Sequence, residues 1–239
     1  MIGTAAGYEF GALHDTTGTG AHLPAWHEAY VSAYWRRPQG MTVAGEFRTF
    51  SRFGQSANQI LLGWDTPLTE RWTAGLEAGG ALNGGFIPHW RVGARTEFTF
   101  NEQFAANVSV SRLQFAAEPV WQVVPGARWQ WHPQWSTHAR LYVTHDAPRG
   151  AAANLGLAGA VGLTWDYSPL SAVTLTYARG EENATQLIKG LIGEKNFQSV
   201  GVDWKYGFSE RLSVQPTYRY EQHNLFDLHA VGVNLQWRY

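Results

Sequence analysis

The stretch His229-Ala-Val-Gly-Val-Asn-Leu-Gln-Trp-Arg-Tyr239 alternates without interruption between apolar or aromatic residues and small or polar ones. Successive side chains of a β-strand point to opposite faces of the sheet, so every second residue shares a face. One face then carries His229, Val231, Val233, Leu235, Trp237 and Tyr239, and the other carries Ala230, Gly232, Asn234, Gln236 and Arg238. An apolar face that ends in aromatic side chains, backed by small and polar groups, is typical of a strand between lipid and water.

The composition fits strands that cross a membrane better than it fits helices. The chain contains 12 Trp, 10 Tyr, 12 Phe and 26 Gly, and only 15% of its residues are charged. Its longest uncharged apolar stretch, residues 151–165, is shorter than the about 20 residues that a helix needs to cross a bilayer. The net charge of -1 is uninformative about partners, and no basic run or aromatic-basic motif indicates a nucleic-acid partner. The absence of cysteine excludes a disulfide framework.

The alternation of the last strand returns about every 17 residues and predicts about fourteen strands. Their predicted cores are 4–13, 27–36, 41–52, 57–65, 71–81, 89–100, 103–114, 120–131, 135–145, 153–166, 171–179, 196–206, 211–222 and 227–239. A soluble β-sandwich would show the same alternation. The low charge and the need to pair every strand edge in lipid favour a closed barrel. We therefore predict an all-β fold, with residues 1–239 forming a single up-and-down antiparallel barrel.

Two kinds of connection alternate along the chain. Short, aromatic-flanked turns occupy 64–72, 100–104, 131–135, 165–170 and 204–212, whereas the longer connections are 14–26, 83–89, 146–152 and 179–196. Outer-membrane barrels have short periplasmic turns and longer external loops, so this pattern predicts the orientation and a location in the bacterial outer membrane. Aromatic residues near the short turns predict a membrane girdle. It comprises Trp64, Trp72, Trp131, Trp135, Trp165, Trp204, Trp237 and Tyr239.

The charged residues decide which face of each strand points inward. An arginine or lysine in contact with lipid at mid-membrane would cost roughly 2 to 4 kcal/mol, so the charged faces should line the lumen. The predicted lumen-lining residues are Glu46, Arg48, Glu77, Arg91, Arg95, Glu97, Arg128, Arg140, Arg219 and Glu221, with Glu9, Arg36, Asp203, Lys205 and Arg238 also inward. These groups could form an ion-pair network that braces the barrel, or a basic-leaning path that guides an anionic solute or polymer.

Whether the lumen is open depends on what fills it. About fourteen strands enclose a space wide enough for a narrow pore unless something plugs it. The external loop 180–196 contains Leu187, Ile188, Leu191 and Ile192 at helical spacing. This loop could fold into the lumen as a plug, or it could rest on the rim as a short amphipathic helix.

No catalytic or metal-binding pattern stands out. His14-Asp-Thr-Thr-Gly18 superficially resembles the His-x-Ser-Asn-Gly stretch of outer-membrane phospholipase A, but Thr16 replaces the serine and Thr17 replaces the asparagine. We expect the segment to lie in a loop, where no base would activate a hydroxyl nucleophile. The spacing of His14, His22 and His27 matches no known metal-ligand pattern. We therefore predict a protein that is not an enzyme and that has neither metal nor cofactor.

Several segments resemble YaiO-type outer-membrane barrels. They are 4–10 (Thr-Ala-Ala-Gly-Tyr-Glu-Phe), 53–64 leading to 91–98, 177–181 with 198–202, and the closing Leu-Gln-Trp-Arg-Tyr of 235–239. The resemblance covers almost the whole chain. It implies an outer-membrane barrel, in some cases associated with exopolysaccharide synthesis and export, and it supplies no catalytic residues.

The leading functional prediction is therefore a pore or surface component associated with envelope polysaccharide. A structural or adhesin-like barrel with a blocked lumen is the first alternative, and a lipid-modifying enzyme is the second. The expected partners are outer-membrane lipid and lipopolysaccharide, the barrel assembly machinery during biogenesis, and a polysaccharide or small anionic solute. Residues 1–4 show no basic segment followed by an apolar one, so we expect the chain to represent a mature protein without its export signal.

Overall fold

The computed structural model describes residues 1–16, 24–52, 54–115, 119–146, 154–181, 196–223 and 226–239. It is all-β. The strands are β1 (Ile2–Asp15), β2 (Trp26–Arg36), β3 (Thr42–Arg52), β4 (Gln55–Pro67), β5 (Trp72–Asn83), β6 (Trp90–Thr99), β7 (Phe104–Gln114), β8 (Pro119–His132), β9 (Trp135–Asp146), β10 (Asn154–Ser168), β11 (Ser171–Glu181), β12 (Asn196–Gly207), β13 (Leu212–His223) and β14 (Phe226–Arg238).

Each strand pairs antiparallel with its neighbours in the chain, and β14 pairs with β1 to close the barrel. The closing seam runs from Gly3 opposite Arg238 to Asp15 opposite Phe226, without a break in register. Closure satisfies the backbone hydrogen bonds of every strand and leaves no exposed edge. The prediction of a closed antiparallel barrel of about fourteen strands is confirmed.

The apolar faces of the strands point away from the lumen. On β14, Val231, Val233 and Leu235 expose 51%, 43% and 51% of their surface, whereas Leu228 and Ala230 on the opposite face are buried. A soluble sandwich would bury such a face against a second sheet, but here it lies on the outside of the closed barrel. The described residues contain no helix that is long and apolar enough to span a membrane.

The connections define two ends of the barrel. Six short turns join β2–β3, β4–β5, β6–β7, β8–β9, β10–β11 and β12–β13 at what we call the short-turn end. Three of these turns use the same local chemistry: the side-chain oxygens of Thr69, Asn101 and Ser209 accept hydrogen bonds from backbone N–H groups two and three residues ahead. Such side-chain caps favour tight turns. The remaining connections lie at the opposite, long-loop end.

Aromatic side chains encircle much of the short-turn end. The rings of Trp131 and Trp135 stack with centroids 5.9 Å apart, and Trp135 stacks on Trp165 at 5.8 Å. Further along, the indole N–H of Trp204 donates to the hydroxyl oxygen of Tyr167 at 2.6 Å. The predicted girdle residues lie on outward faces at this end. Their contribution to membrane stability stays a prediction.

Candidate functional site

Among the described residues, inward-facing side chains line two polar cavities in the barrel interior. A cavity of about 520 Å³ is lined by β1–β3 and β11–β14, with Glu9, Glu46, Arg48 and Arg219 in its wall. A second cavity of about 440 Å³ is lined by β4–β9. Both are large enough for several water molecules, and both carry the polar partners that such waters need.

Ion pairs inside the barrel connect strands that are not adjacent. Arg95 on β6 donates from Nε to Oδ1 of Asp65 at 2.7 Å and from Nη2 to Oδ2 at 2.5 Å. Asp65 belongs to β4, and the strand between them places Gly75 opposite both residues. Because Gly75 has no side chain, the two long polar groups can meet over β5 in the bidentate geometry that arginine and carboxylate prefer.

The larger cavity contains a second network. Arg48 donates from Nη1 to Oε1 of Glu28 at 2.6 Å and from Nε to Oε1 of Glu46 at 2.8 Å. Arg52 approaches the other oxygen of Glu28 at 3.5 Å. Across the seam, Arg219 contacts Glu9 at 2.9 Å and Glu221 at 3.1 Å. These pairs join β2 to β3 and β13 to β1, so they brace neighbouring parts of the wall.

The predicted lumen residues fall into a paired set and an unpaired set. Paired are Glu46, Arg48, Glu77, Arg91, Arg95, Arg219 and Glu221, with Arg91 contacting Glu77 directly. By contrast, no described residue of opposite charge lies within ion-pair distance of Glu97, Arg128 or Arg140. Arg140 and Glu97 both line the smaller cavity.

Three charged residues of these networks escaped the sequence analysis. Glu28 and Arg52 sit near the long-loop ends of β2 and β3, and Asp65 was included in a short turn. Their register opposite inward residues, such as Asp65 opposite Gly75, places them in the lumen. These acids offset part of the basic excess that the sequence predicted. The alternation of β2 could have revealed Glu28. Every second residue of a strand shares a face, so Glu28 lies on the same inward face as Tyr30 and Tyr34.

The unpaired charge concentrates near the short-turn end. Arg36, Lys205 and Arg238 lie on inward faces within the last three residues of their strands. Among described residues, none of the three has a carboxylate within ion-pair distance. Lys205 and Arg238 line a small cavity of about 80 Å³ there, together with Arg211 and Glu210. The mouth of the lumen at this end is therefore basic on balance on the β12–β14 side.

Apolar residues narrow the lumen at the long-loop end. Phe86 and Ile87, from the β5–β6 connection, are buried against Ala57, with Phe50 and Ala81 packed around them. A second cluster joins Phe226, Leu228 and Ala230 to Leu13 and Trp26. The inward loop is thus 84–89, a segment predicted from the sequence only as part of the longer connection 83–89. The predicted plug at 180–196, with Leu187, Ile188, Leu191 and Ile192, lies almost entirely outside the described residues.

The structure corrects the placement of one candidate catalytic residue. His14 was expected in a loop, but it belongs to β1, opposite Asp227 of β14. The continued pairing of the seam extends β1 beyond its predicted core. Thr16 ends the described segment, and Thr17 and His22 lie outside the described residues. No group of three or more His, Asp or Glu side chains within the described ranges could hold a metal ion.

Comparison with solved structures finds barrels of similar shape. The anion-selective porin from Comamonas acidovorans has a TM-score of 0.58 and 10% identity, over 100% of this chain and 99% of the porin. A bacterial polysaccharide outer membrane secretin has a TM-score of 0.61 and 9% identity, over 100% of this chain and 98% of that chain. The toluene transporter TbuX from Ralstonia pickettii has a TM-score of 0.66 and 10% identity, over 100% of this chain and 89% of the transporter. At these identities the likeness concerns the fold alone.

The sequence comparison identifies the family. No curated protein matches the chain. Residues 5–160, however, match the YaiO membrane beta barrel domain. Together with the porin-like fold, this match places the protein in the bacterial outer membrane. Outer-membrane barrels have short periplasmic turns and longer external loops, so we expect the short-turn end to face the periplasm and the long-loop end to face outside. Since the matched residues make up more than half of the sequence, the chain belongs to the YaiO membrane beta barrel domain family.

Proposed function

We propose that the barrel is a narrow, water-filled channel for anionic hydrophilic solutes, and that a segment of exported envelope polysaccharide is the solute class it serves. The observation that carries this proposal is the pair of polar cavities, of about 520 and 440 Å³, enclosed by the strands. A barrel that served only as a scaffold would gain stability from apolar packing in that space. Its charged lining instead favours water and polar solutes.

The distribution of unpaired charge supports an anionic solute. The ion pairs of Arg48, Arg91, Arg95 and Arg219 leave little net field, because each arginine faces a carboxylate. What remains near the periplasmic mouth includes Arg36, Arg128, Lys205 and Arg238, set against the acids Glu97, Asp166 and Asp203. Rings of basic side chains attract anions into a pore and raise their local concentration.

Similar solved structures support a transport role in general terms. They include an anion-selective porin, a polysaccharide outer membrane secretin and a KdgM porin in complex with oligogalacturonate. The solutes named for these three proteins are anions and polysaccharides, the chemistry that a basic mouth would accept. The neighbours are porins and channels, which favours transport over the enzyme alternative.

The rival function is a structural barrel with a blocked lumen. The apolar clusters at the external end, around Phe86 and around Phe226, favour it because they narrow the passage. In the channel proposal the same clusters form a constriction, and the cavities below them remain accessible to water from the periplasm.

Ion selectivity tests the proposal. Purified barrel is inserted into planar bilayers under a KCl gradient, and the reversal potential gives the ratio of chloride to potassium permeability. We expect anion preference, and we expect the double variant Lys205→Gln with Arg238→Gln to reduce it. Arg179→Gln is the matched control, because Arg179 lies on the outward face of β11 and at the end of the barrel opposite Lys205 and Arg238. Cation preference in the parent protein, or an equal effect of Arg179→Gln, contradicts the proposal.

A further inference from the structure

Arg112 stands on the lipid-facing surface of the barrel. It pairs in register with Val92 on one side and with Trp121 on the other. Val92 and Trp121 expose 47% and 46% of their surface on the outward face, so Arg112 shares that face. It lies two residues from the external end of β7. A charge at this depth avoids the cost of the bilayer centre but remains within the membrane interface.

Two tryptophans hold the guanidinium in place. Cζ of Arg112 lies 5.5 Å from the ring centroid of Trp90 and 5.5 Å from that of Trp121. Both rings belong to the external ends of their strands, β6 and β8. Cation–π contacts on two sides orient the planar group and restrict its rotamers. A preoriented guanidinium loses less entropy when it binds a ligand.

The orientation of Arg112 is not explained by an ion pair within the described protein. No described carboxylate lies within ion-pair distance of its guanidinium, whereas the lumen arginines Arg48, Arg91, Arg95 and Arg219 each contact one. Charged groups at a membrane interface without a protein partner are satisfied by water or by lipid headgroups. Below Arg112 the same face continues with the exposed side chains of Val110 and Val123.

We propose that Arg112, Trp90 and Trp121 form a binding site for a phosphate group of outer-leaflet lipopolysaccharide. The guanidinium is suited to bidentate contact with phosphate oxygens. The valines beneath it offer an apolar surface for acyl chains, which a free phosphate would not use. The position of the site on the lipid-facing wall at the external end therefore commits it to a lipid-borne phosphate.

The test compares ligands that differ only in phosphate. Native mass spectrometry measures how much lipid A the folded, detergent-solubilised barrel retains, with phosphorylated lipid A, dephosphorylated lipid A and inorganic phosphate offered separately. The parent protein should retain phosphorylated lipid A best and should not retain inorganic phosphate. Arg112→Gln should weaken retention about tenfold, since a charge-assisted contact is lost. Retention by Arg112→Lys should fall between that of the parent and that of Arg112→Gln, because lysine keeps the charge but lacks the planar guanidinium.

Arg179→Gln is the matched control. Arg179 is also an outward arginine two residues from the external end of its strand, but no described tryptophan lies over it. Its substitution should leave retention unchanged, and heat-dependent gel mobility confirms that each variant is folded. Equal retention by the parent and Arg112→Gln, an equal loss in Arg179→Gln, equal retention of dephosphorylated lipid A, or binding of inorganic phosphate alone would each overturn the proposal.

Discussion

Arg95 and Asp65, 30 residues apart in the chain, form a bidentate ion pair over the backbone of Gly75, with N···O distances of 2.7 and 2.5 Å. The glycine is opposite both residues in the register of β4, β5 and β6. A residue without a side chain is what allows two polar groups on next-nearest strands to meet. The lumen wall is therefore built by alternating long charged groups with glycine, and not by charge pairs between adjacent strands alone.

Gly75→Val should break this pair. A Cβ at Gly75 would collide with Oδ1 of Asp65 and crowd Nε of Arg95 at 3.0 Å. The ion pair is partly exposed and is worth up to about 1 kcal/mol, and overpacking adds about 1 to 3 kcal/mol. We expect the free energy of unfolding, measured with urea in lipid vesicles, to fall by about 2 kcal/mol. Gly159→Val is the control, because the nearest atom to a Cβ there is 3.9 Å away. Similar losses in both variants would contradict the cross-strand role of Gly75.

Val231→Arg and Asn234→Arg test the two faces of β14. Val231 is outward at the middle of the strand, and Asn234 is inward, where it accepts a hydrogen bond from the hydroxyl of Tyr30 at 3.0 Å. Arginine at position 231 should cost about 2 to 4 kcal/mol because it meets hydrocarbon. At position 234 arginine should lower the folding stability by only about 1 kcal/mol, the value of one hydrogen bond. Folding yield into bilayers measures both, and equal effects would mean that the faces are wrongly assigned.

A disulfide across the seam tests barrel closure. The chain has no cysteine, so Ala5→Cys with Gln236→Cys introduces a single pair of thiols. Ala5 and Gln236 are directly opposite on β1 and β14, where Cα atoms lie about 4.5 to 5.5 Å apart, within disulfide range. We expect oxidation to give a faster-migrating species on a denaturing gel. Ala5→Cys with Ser213→Cys, which lies one strand further away on β13, should not crosslink.

The stacked tryptophans of the short-turn end give a stability prediction. Trp135 stacks on both Trp131 and Trp165, and each aromatic pair contributes about 0.5 to 1.5 kcal/mol beyond the area that it buries. Trp135→Ala should therefore destabilise the barrel in vesicles more than Trp129→Ala. Trp129 is 55% exposed and contacts no aromatic ring among the described residues. A larger loss at Trp129 would mean that lipid contact outweighs stacking.

The strands were predictable because their signal is local. Alternation on 229–239 shows which residues share a face, and the cost of charge in lipid then decides which face is inward. Glu28 and Asp65 escaped prediction because each sits near the end of a strand, where alternation gives way to turn residues. Their role depends on their register with Arg48 and Arg95. The alternation within one strand shows which residues share a face, but it does not show which residues of another strand they lie beside.

The inward fold of residues 84–89 was equally invisible in the sequence. Phe86 and Ile87 follow two glycines in a segment with no periodicity, which predicts only a loop. Their burial depends on Ala57 and Phe50, which belong to other hairpins and approach only after the barrel closes. Loop direction is a tertiary property, whereas strand facing follows from the sequence.

Single-channel recording of the parent protein in planar bilayers tests the central claim most directly. The claim is that water fills the two cavities and that the aqueous path runs from the periplasmic mouth through the external constriction at Phe86 and Phe226 to the outside. A continuous aqueous path predicts discrete, steady conductance steps on insertion of heat-modifiable, folded barrel. Insertion of the folded barrel without any conductance step would contradict the channel and would favour the blocked structural barrel.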